Sequence, residues 1–354
     1  MSRTGLAKAM DLTTPSLSRL TQSLANHQLV RELHKLRDGL RGKPAQLITL
    51  NPDGAYAVGF AVQAEHLSAC VVDLEGKVRS SRSLNLAEIE PRLVARWAAK
   101  LLEQLLEETG ISRKRVLGAG ISMPGVAIGA YGAGLTPSGT LHLPDEYAAW
   151  KGLDIPRHFE DALGMPSWLE NSAKAATLAD MYFGEANRFD SFAVIHIAYG
   201  FGGGLVLDRR PYRGSCGRAA EFGGLFPYTG IRPSGRDLLM FLAQHMDAPP
   251  QHVRELAHAE IPEAILNAWF ERIGPGLVDL ARHLSVMLDL QAIVLNGLLP
   301  PPMLARMAQL VREQLPRLIP PELGVPELLV SRLAKSGLEL GAACLPLHHR
   351  TSTS

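Results

Sequence analysis

A short stretch near the start of the chain carries the residues best suited to nucleic-acid chemistry. Ser16, Ser18, Arg19, Gln22 and Ser23 are short polar donors and one guanidinium, spaced to share one side of a helix. Such groups suit phosphates and base edges. Thr14 and Pro15 supply a helix cap and a first-turn proline, and Leu17, Leu20 and Leu24 are expected to form the opposite, buried face. Leu6, Ala7 and Met10 have helical spacing ahead of a break at Asp11-Leu12-Thr13. Two short helices joined by a tight turn describe a helix-turn-helix. Beyond Leu29-Val30, the basic run Arg37 to Pro44 leads into the alternating Gln46–Leu50 segment, which reads as a wing with Arg41 and Lys43 at its tip. Thr14, Ser16, Ser18, Arg19, Gln22, Arg41 and Lys43 are thus the candidate DNA-facing residues. An ordinary helical hairpin with a basic loop is the competing reading.

A second candidate is the glycine run Gly200-Phe201-Gly202-Gly203-Gly204. Glycine-rich turns can cradle phosphate because the backbone N–H groups approach closely. This run follows the strand pattern Phe192–Ala198 and precedes another at Leu205–Leu207, so it reads as a turn between two strands. It matches neither the nucleoside-triphosphate loop nor the dinucleotide fingerprint, which join strand to helix. A strained hairpin accounts for it equally well.

The elements that must position these groups form an α/β chain. The sequence has 354 residues, 36 Lys+Arg against 35 Asp+Glu, and 46% hydrophobic residues. This excludes a disordered chain and supplies material for more than one core. Residues 1–50 carry an excess of basic residues and the remainder a slight acidic excess, which suits an anionic partner for the small part. No signal peptide or membrane-spanning run is evident, and Cys70, Cys216 and Cys344 form no disulfide or zinc pattern. A cytoplasmic protein is expected. Strands are predicted at 56–62, 66–73, 116–122, 192–198 and 292–297, with a long helix over 91–108 stopped by Gly110 and a largely helical stretch over about 252–289.

The segment Ile197 to Asp208, followed by Tyr212-Arg213-Gly214 and Ala220-Glu221-Phe222-Gly223, resembles the signature of the ROK family, which joins sugar-responsive repressors and sugar kinases. Gly118–Gly125, Trp168–Ala176, Leu288–Gly297 and Arg41-Gly42-Lys43-Pro44 resemble further family segments in the same order. The resemblance implies an α/β fold with a winged helix-turn-helix over 1–52 and a two-lobed actin-like, ribonuclease-H-like body, its lobes at 53–183 and 184–354. Only five residues precede Leu6. The first helix of the family's module is therefore expected to be missing, through either an upstream start codon or truncation.

The departures from the family pattern bear on function. The residue matching the family's catalytic Asp is Ser172, whose hydroxyl is no base near neutral pH. The strand end Gly59–Gln63 lacks the family's acidic residue and paired glycines, and Asn296-Gly297-Leu298 thins the adenosine-side glycines. Gly224 stands where the family has a zinc-binding His, and residues 231–237 lack its cysteines. Neither metal nor cofactor is expected. The resemblance implies a sugar site at Pro124, Gly125, Asn171, Ser172 and Glu221, where a carboxylate and an amide can bond sugar hydroxyls. The expectation is a non-enzymatic, sugar-responsive DNA-binding regulator, acting as a homodimer or tetramer on operator DNA and answering to a sugar or sugar phosphate. A divergent ATP-dependent sugar kinase with a vestigial N-terminus is the alternative.

Overall fold

The computed structural model describes residues 2–33, 47–63, 66–127, 141–142, 145–227, 230–333 and 337–351. Arg41 and Lys43 lie outside the described residues.

The chain opens with helices α1 (Arg3–Ala9) and α2 (Thr14–Asn26), then strands β1 (Val30–Leu33) and β2 (Leu47–Leu50). The strands pair antiparallel, with Val30 opposite Leu50 and Leu33 opposite Leu47. The first lobe follows: β3 (Tyr56–Gln63), β4 (His66–Asp73), β5 (Val78–Asn85), α3 (Pro91–Thr109), β6 (Val116–Met123), the short pair β7 (Val126–Ala127) and β8 (Leu141–His142), α4 (Ile155–Leu163), β9 (Ser167–Asn171) and α5 (Ser172–Phe183). The second lobe comprises β10 (Phe192–Ile197), β11 (Phe201–Leu207), β12 (Arg210–Tyr212), α6 (Gly235–His245), α7 (Glu263–Leu288), β13 (Ala292–Gly297), α8 (Pro301–Gln314) and β14 (Glu327–Val330). Helix α9 (Gly337–Thr351) closes the chain.

The two lobes repeat one topology. Their five-stranded sheets run β5-β4-β3-β6-β9 and β12-β11-β10-β13-β14, each an antiparallel meander extended by two parallel strands. Local chemistry marks the helix ends. Glu90 caps α3 by accepting from the Leu93 N–H at 2.8 Å, Pro91 stands in its first turn, and Gly110 ends it at φ 65°. Asp154 and Gly164 do the same for α4.

Strand alternation decides which face goes where. Val58, Phe60, Val62, Leu67, Ala69 and Val71 turn to the core beneath α3 and α4. Ala57, Cys70 and Val72 turn the other way, toward Ala179 of α5 and Leu340 and Ala343 of α9. The close of the chain thus returns to the first sheet, so the tail of the expected 184–354 lobe packs with the first. Glycine permits this approach: a Cβ on Gly120 would sit 1.8 Å from the Ala342 carbonyl oxygen, and one on Gly59 1.9 Å from that of Glu339.

The glycine run is strand rather than turn. β11 begins at Phe201, and only Ala198-Tyr199-Gly200 reverses the chain. Packing is the reason: a Cβ on Gly203 would meet the Phe222 ring at 2.3 Å, and one on Gly204 the Thr177 hydroxyl at 2.2 Å. These glycines admit α5 and Phe222 against β11.

Candidate functional site

The N-terminal module holds the first group of candidates. Thr13, not Thr14, caps α2, accepting from the Ser16 N–H at 3.4 Å; Thr14 is the first helical residue and is exposed. Pro15 therefore takes the second helical position. Leu17 and Thr21 are the buried residues of α2, beside Ala7 of α1. The expected buried face is only partly formed, since Leu20 and Leu24 stay 49% and 40% exposed. α1 and the β1–β2 pair are too small to cover the whole apolar stripe, and the Thr21 hydroxyl satisfies itself on the Leu17 carbonyl at 2.9 Å. Arg19, Gln22 and Ser23 face solvent, while Ser16 and Ser18 are half-buried.

The second group gathers where α5 begins. β9 delivers Asn171 to the α5 N-terminus, where its side-chain oxygen accepts from the Ala173 N–H at 2.8 Å and the Lys174 N–H at 3.3 Å. Its amide nitrogen donates to the Gly125 carbonyl. Gly125 has φ 136°, which glycine tolerates and a side chain does not. Pro124, Gly125, Asn171 and Ser172, all half-buried, therefore converge. Glu221 is tied to them through Lys174, whose ammonium donates to a Glu221 carboxylate oxygen at 2.9 Å and to the Gly217 carbonyl at 2.7 Å. Beside it, buried Glu170 accepts from Arg213 at 2.5 Å and from the Asn171 N–H at 2.9 Å.

Lys174, Glu170 and Arg213 were not singled out by sequence. The pairs join residues 47 and 43 positions apart and become evident only when the lobes meet. Chemically, this wall offers a carboxylate and an amide already engaged with internal partners. A polyol must use the outward oxygen of Glu221 or displace Lys174.

At the far end of β3, Arg254 crosses from the second lobe. Its guanidinium donates to the Gln63 side-chain oxygen at 2.9 Å and to His66 Nε2 at 2.9 Å. Burial and the neighbouring Arg254 charge lower the His66 pKa, opposed by its hydrogen bond with Asn85. Deeper, Ser331 and Asn296 donate to the Asp180 carboxylate at 2.7 and 2.6 Å, and Asn296 Oδ1 faces His196 Nδ1 at 3.1 Å. Because the Asn296 amide nitrogen serves Asp180, its oxygen must accept, so His196 carries its proton on Nδ1. Burial pushes Asp180 up to about 6, against the pull of both hydrogen bonds. It drags His196 down to about 4, opposed by Asn296.

Residues 57–228 match the family model of the ROK family. These residues carry a ROK family domain. Similarity extends beyond those residues. The uncharacterized protein y4fQ of Sinorhizobium fredii is 29% identical over 358 residues, spanning 98% of this chain and 86% of that protein. The xylose repressor of Bacillus spizizenii is 23% identical over 369 residues, 99% of this chain and 91% of the repressor. Among solved structures, a ROK family transcriptional regulator homologous to the Escherichia coli Mlc protein superposes with TM-score 0.72 at 21% identity, covering 99% of this chain and 92% of its own. A ROK family glucokinase from Streptomyces griseus, bound to glucose and AMPPNP, superposes with TM-score 0.62 at 21% identity, covering 82% of this chain and 99% of its own. The ROK domain thus has repressor relatives and kinase-fold neighbours. Among the described residues no helix is long and apolar enough to cross a membrane.

Proposed function

We propose that this chain is a sugar-responsive DNA-binding transcriptional repressor whose ROK domain no longer transfers phosphate. The observation that carries this reading is the extent of the likeness. The xylose repressor aligns over 99% of the chain, whereas the glucokinase fills its own length while covering 82% of this one. A pair of helices and a two-stranded sheet ahead of the body, with Arg19, Gln22 and Ser23 exposed on α2, supports a winged helix-turn-helix that docks α2 in the major groove. A homodimer would present two such modules to a pseudo-palindromic operator in the cytoplasm.

Loss of catalysis follows from chemistry. Ser172 supplies no general base, and Arg254 occupies Gln63 at the strand end where phosphate would be cradled. A sugar or sugar phosphate at Pro124, Gly125, Asn171, Ser172 and Glu221 would act through its differential affinity for two arrangements of the lobes.

Fluorescence anisotropy on DNA from the protein's own upstream region tests the reading. Sequence-preferring binding that weakens at least tenfold between about 50 and about 200 mM salt is expected, with release by one member of a sugar panel. ATP turnover over the same panel should stay at the blank rate. Sustained sugar phosphorylation without DNA binding would overturn the proposal in favour of a kinase.

A further inference from the structure

The turn that ends α2 is bolted to the first lobe. Gln28 holds a left-handed conformation at φ 62°, and Asn51 secures its carbonyl with a 2.6 Å hydrogen bond. The Asn51 N–H donates to the Leu29 carbonyl at 2.9 Å. Arg115 spans the joint, one guanidinium nitrogen donating to the Gln28 side-chain oxygen at 2.6 Å and the other to the Asp53 carbonyl at 2.6 Å. A planar fork suits two acceptors held at a fixed separation. Gly54 closes the same joint sterically, since a Cβ there would lie 2.3 Å from the Gln28 carbonyl oxygen. Tyr56 donates to the Asp53 carboxylate at 2.9 Å, and Arg79 pairs with Asp53 and with Asp73, so the turn beneath the module is itself anchored to the sheet.

Arg115 immediately precedes β6. The other end of β6 is Met123, followed by Pro124 and Gly125, where Asn171 donates to the Gly125 carbonyl. The strand lies between β3 and β9 and is buried over its last six residues. A strand of this length spans about 25 Å. One strand therefore joins the turn that ends α2 to the wall of the candidate sugar site.

We propose that Arg115 is the positioning residue that sets the orientation of α2 on the body, and that β6 transmits changes at Gly125 and Asn171 to it. The proposal rests on α2 being the DNA-facing helix only for its consequence, not for its mechanics.

The test uses the full chain with Cys216 replaced by Ser; Cys70 and Cys344 are buried. Nitroxide labels at Ser23→Cys on α2 and Arg96→Cys on α3, both exposed positions, report their separation by pulsed dipolar spectroscopy. The parent should give one narrow distribution. Arg115→Ala should broaden it about twofold while the melting temperature of the body holds, and Gly54→Ala should displace its mean. Asn171→Asp retains a capping oxygen for α5 but loses the donor to Gly125. It should shift the mean in the parent and have no effect in the Arg115→Ala background.

A distribution as narrow in Arg115→Ala as in the parent overturns the positioning role. So does a parent already broad. An Asn171→Asp variant that folds and leaves the parent distance unchanged overturns transmission through β6. Anisotropy on the upstream DNA then adds the consequence: Arg115→Ala should weaken binding several-fold. A parent that gives the expected distances yet binds no DNA refutes the regulator reading and leaves the joint standing.

Discussion

In the first sheet, Gly59 of β3 lies beside Gly120 of β6, and α9 rests on the bare backbone they leave. In the second sheet the central strands β10 and β13 follow the same order, yet there His196 lies beside Asn296 and the network continues to Asp180 on α5. One topology is closed in two ways, by the absence of side chains on one side and by a buried hydrogen-bonded relay on the other. The steric seam tolerates no added atom. The polar seam responds to protons.

The largest effect is expected at the steric seam. Gly120→Val should cost more than about 4 kcal/mol and leave little folded protein, because its Cβ would collide with the α9 backbone. Gly110→Ala, with nothing within 4 Å but φ 65°, should cost only about 1 kcal/mol. Comparable melting temperatures for the two variants would remove the steric account.

The polar seam should show itself in pH. Asp180 titrates at about 6 in the fold against an ordinary 3.8, so the folded state keeps its proton longer and stability falls as pH rises across that window. His196 titrates at about 4 against an ordinary 6.5, so stability rises with pH across its own window. Each is worth about 3 kcal/mol, with opposite sign, and the two nearly cancel. Asp180→Asn should therefore expose a rising profile between about pH 4 and 6.5, and His196→Leu a falling one between about pH 4 and 6. Chemical denaturation across that range measures both; slopes of the same sign would break the assignment.

A smaller effect is expected where the lobes meet over α5. Lys174→Met should cost about 1–3 kcal/mol, and Glu221→Gln less, because Lys174 keeps the Gly217 carbonyl and Glu221 is the more exposed partner. Urea midpoints of the two variants decide the order. Smallest in stability is Arg19→Ala on α2, within about 0.5 kcal/mol. Its effect should instead be on DNA affinity, with the salt slope reduced by about one.

Much of this fold was legible along the chain. The strands Tyr56–Gln63, His66–Asp73 and Ala292–Gly297 and the helix that starts at Pro91 and stops at Gly110 follow from apolar runs and helix-end signals within a few residues. The glycine run misled because a local reading takes glycine for a turn, while Gly203 and Gly204 stand in a strand to make room for Phe222 and Thr177. Leu20 and Leu24 misled for the converse reason. Their spacing is that of a buried face, but burial also needs something to cover it.

The sequence by itself determined most strands and the long helices of the two α/β halves, because strand alternation and helix capping act over short spans; the grouping of Pro124, Gly125 and Asn171 was expected only from the resemblance. Only the tertiary structure decided that Lys174 would hold Glu221, that Arg254 would reach Gln63, that α9 would return to the first sheet, and that Arg115 would meet Gln28. Those contacts join groups tens to hundreds of residues apart. Their existence depends on the angle at which packed elements meet, which no local pattern encodes.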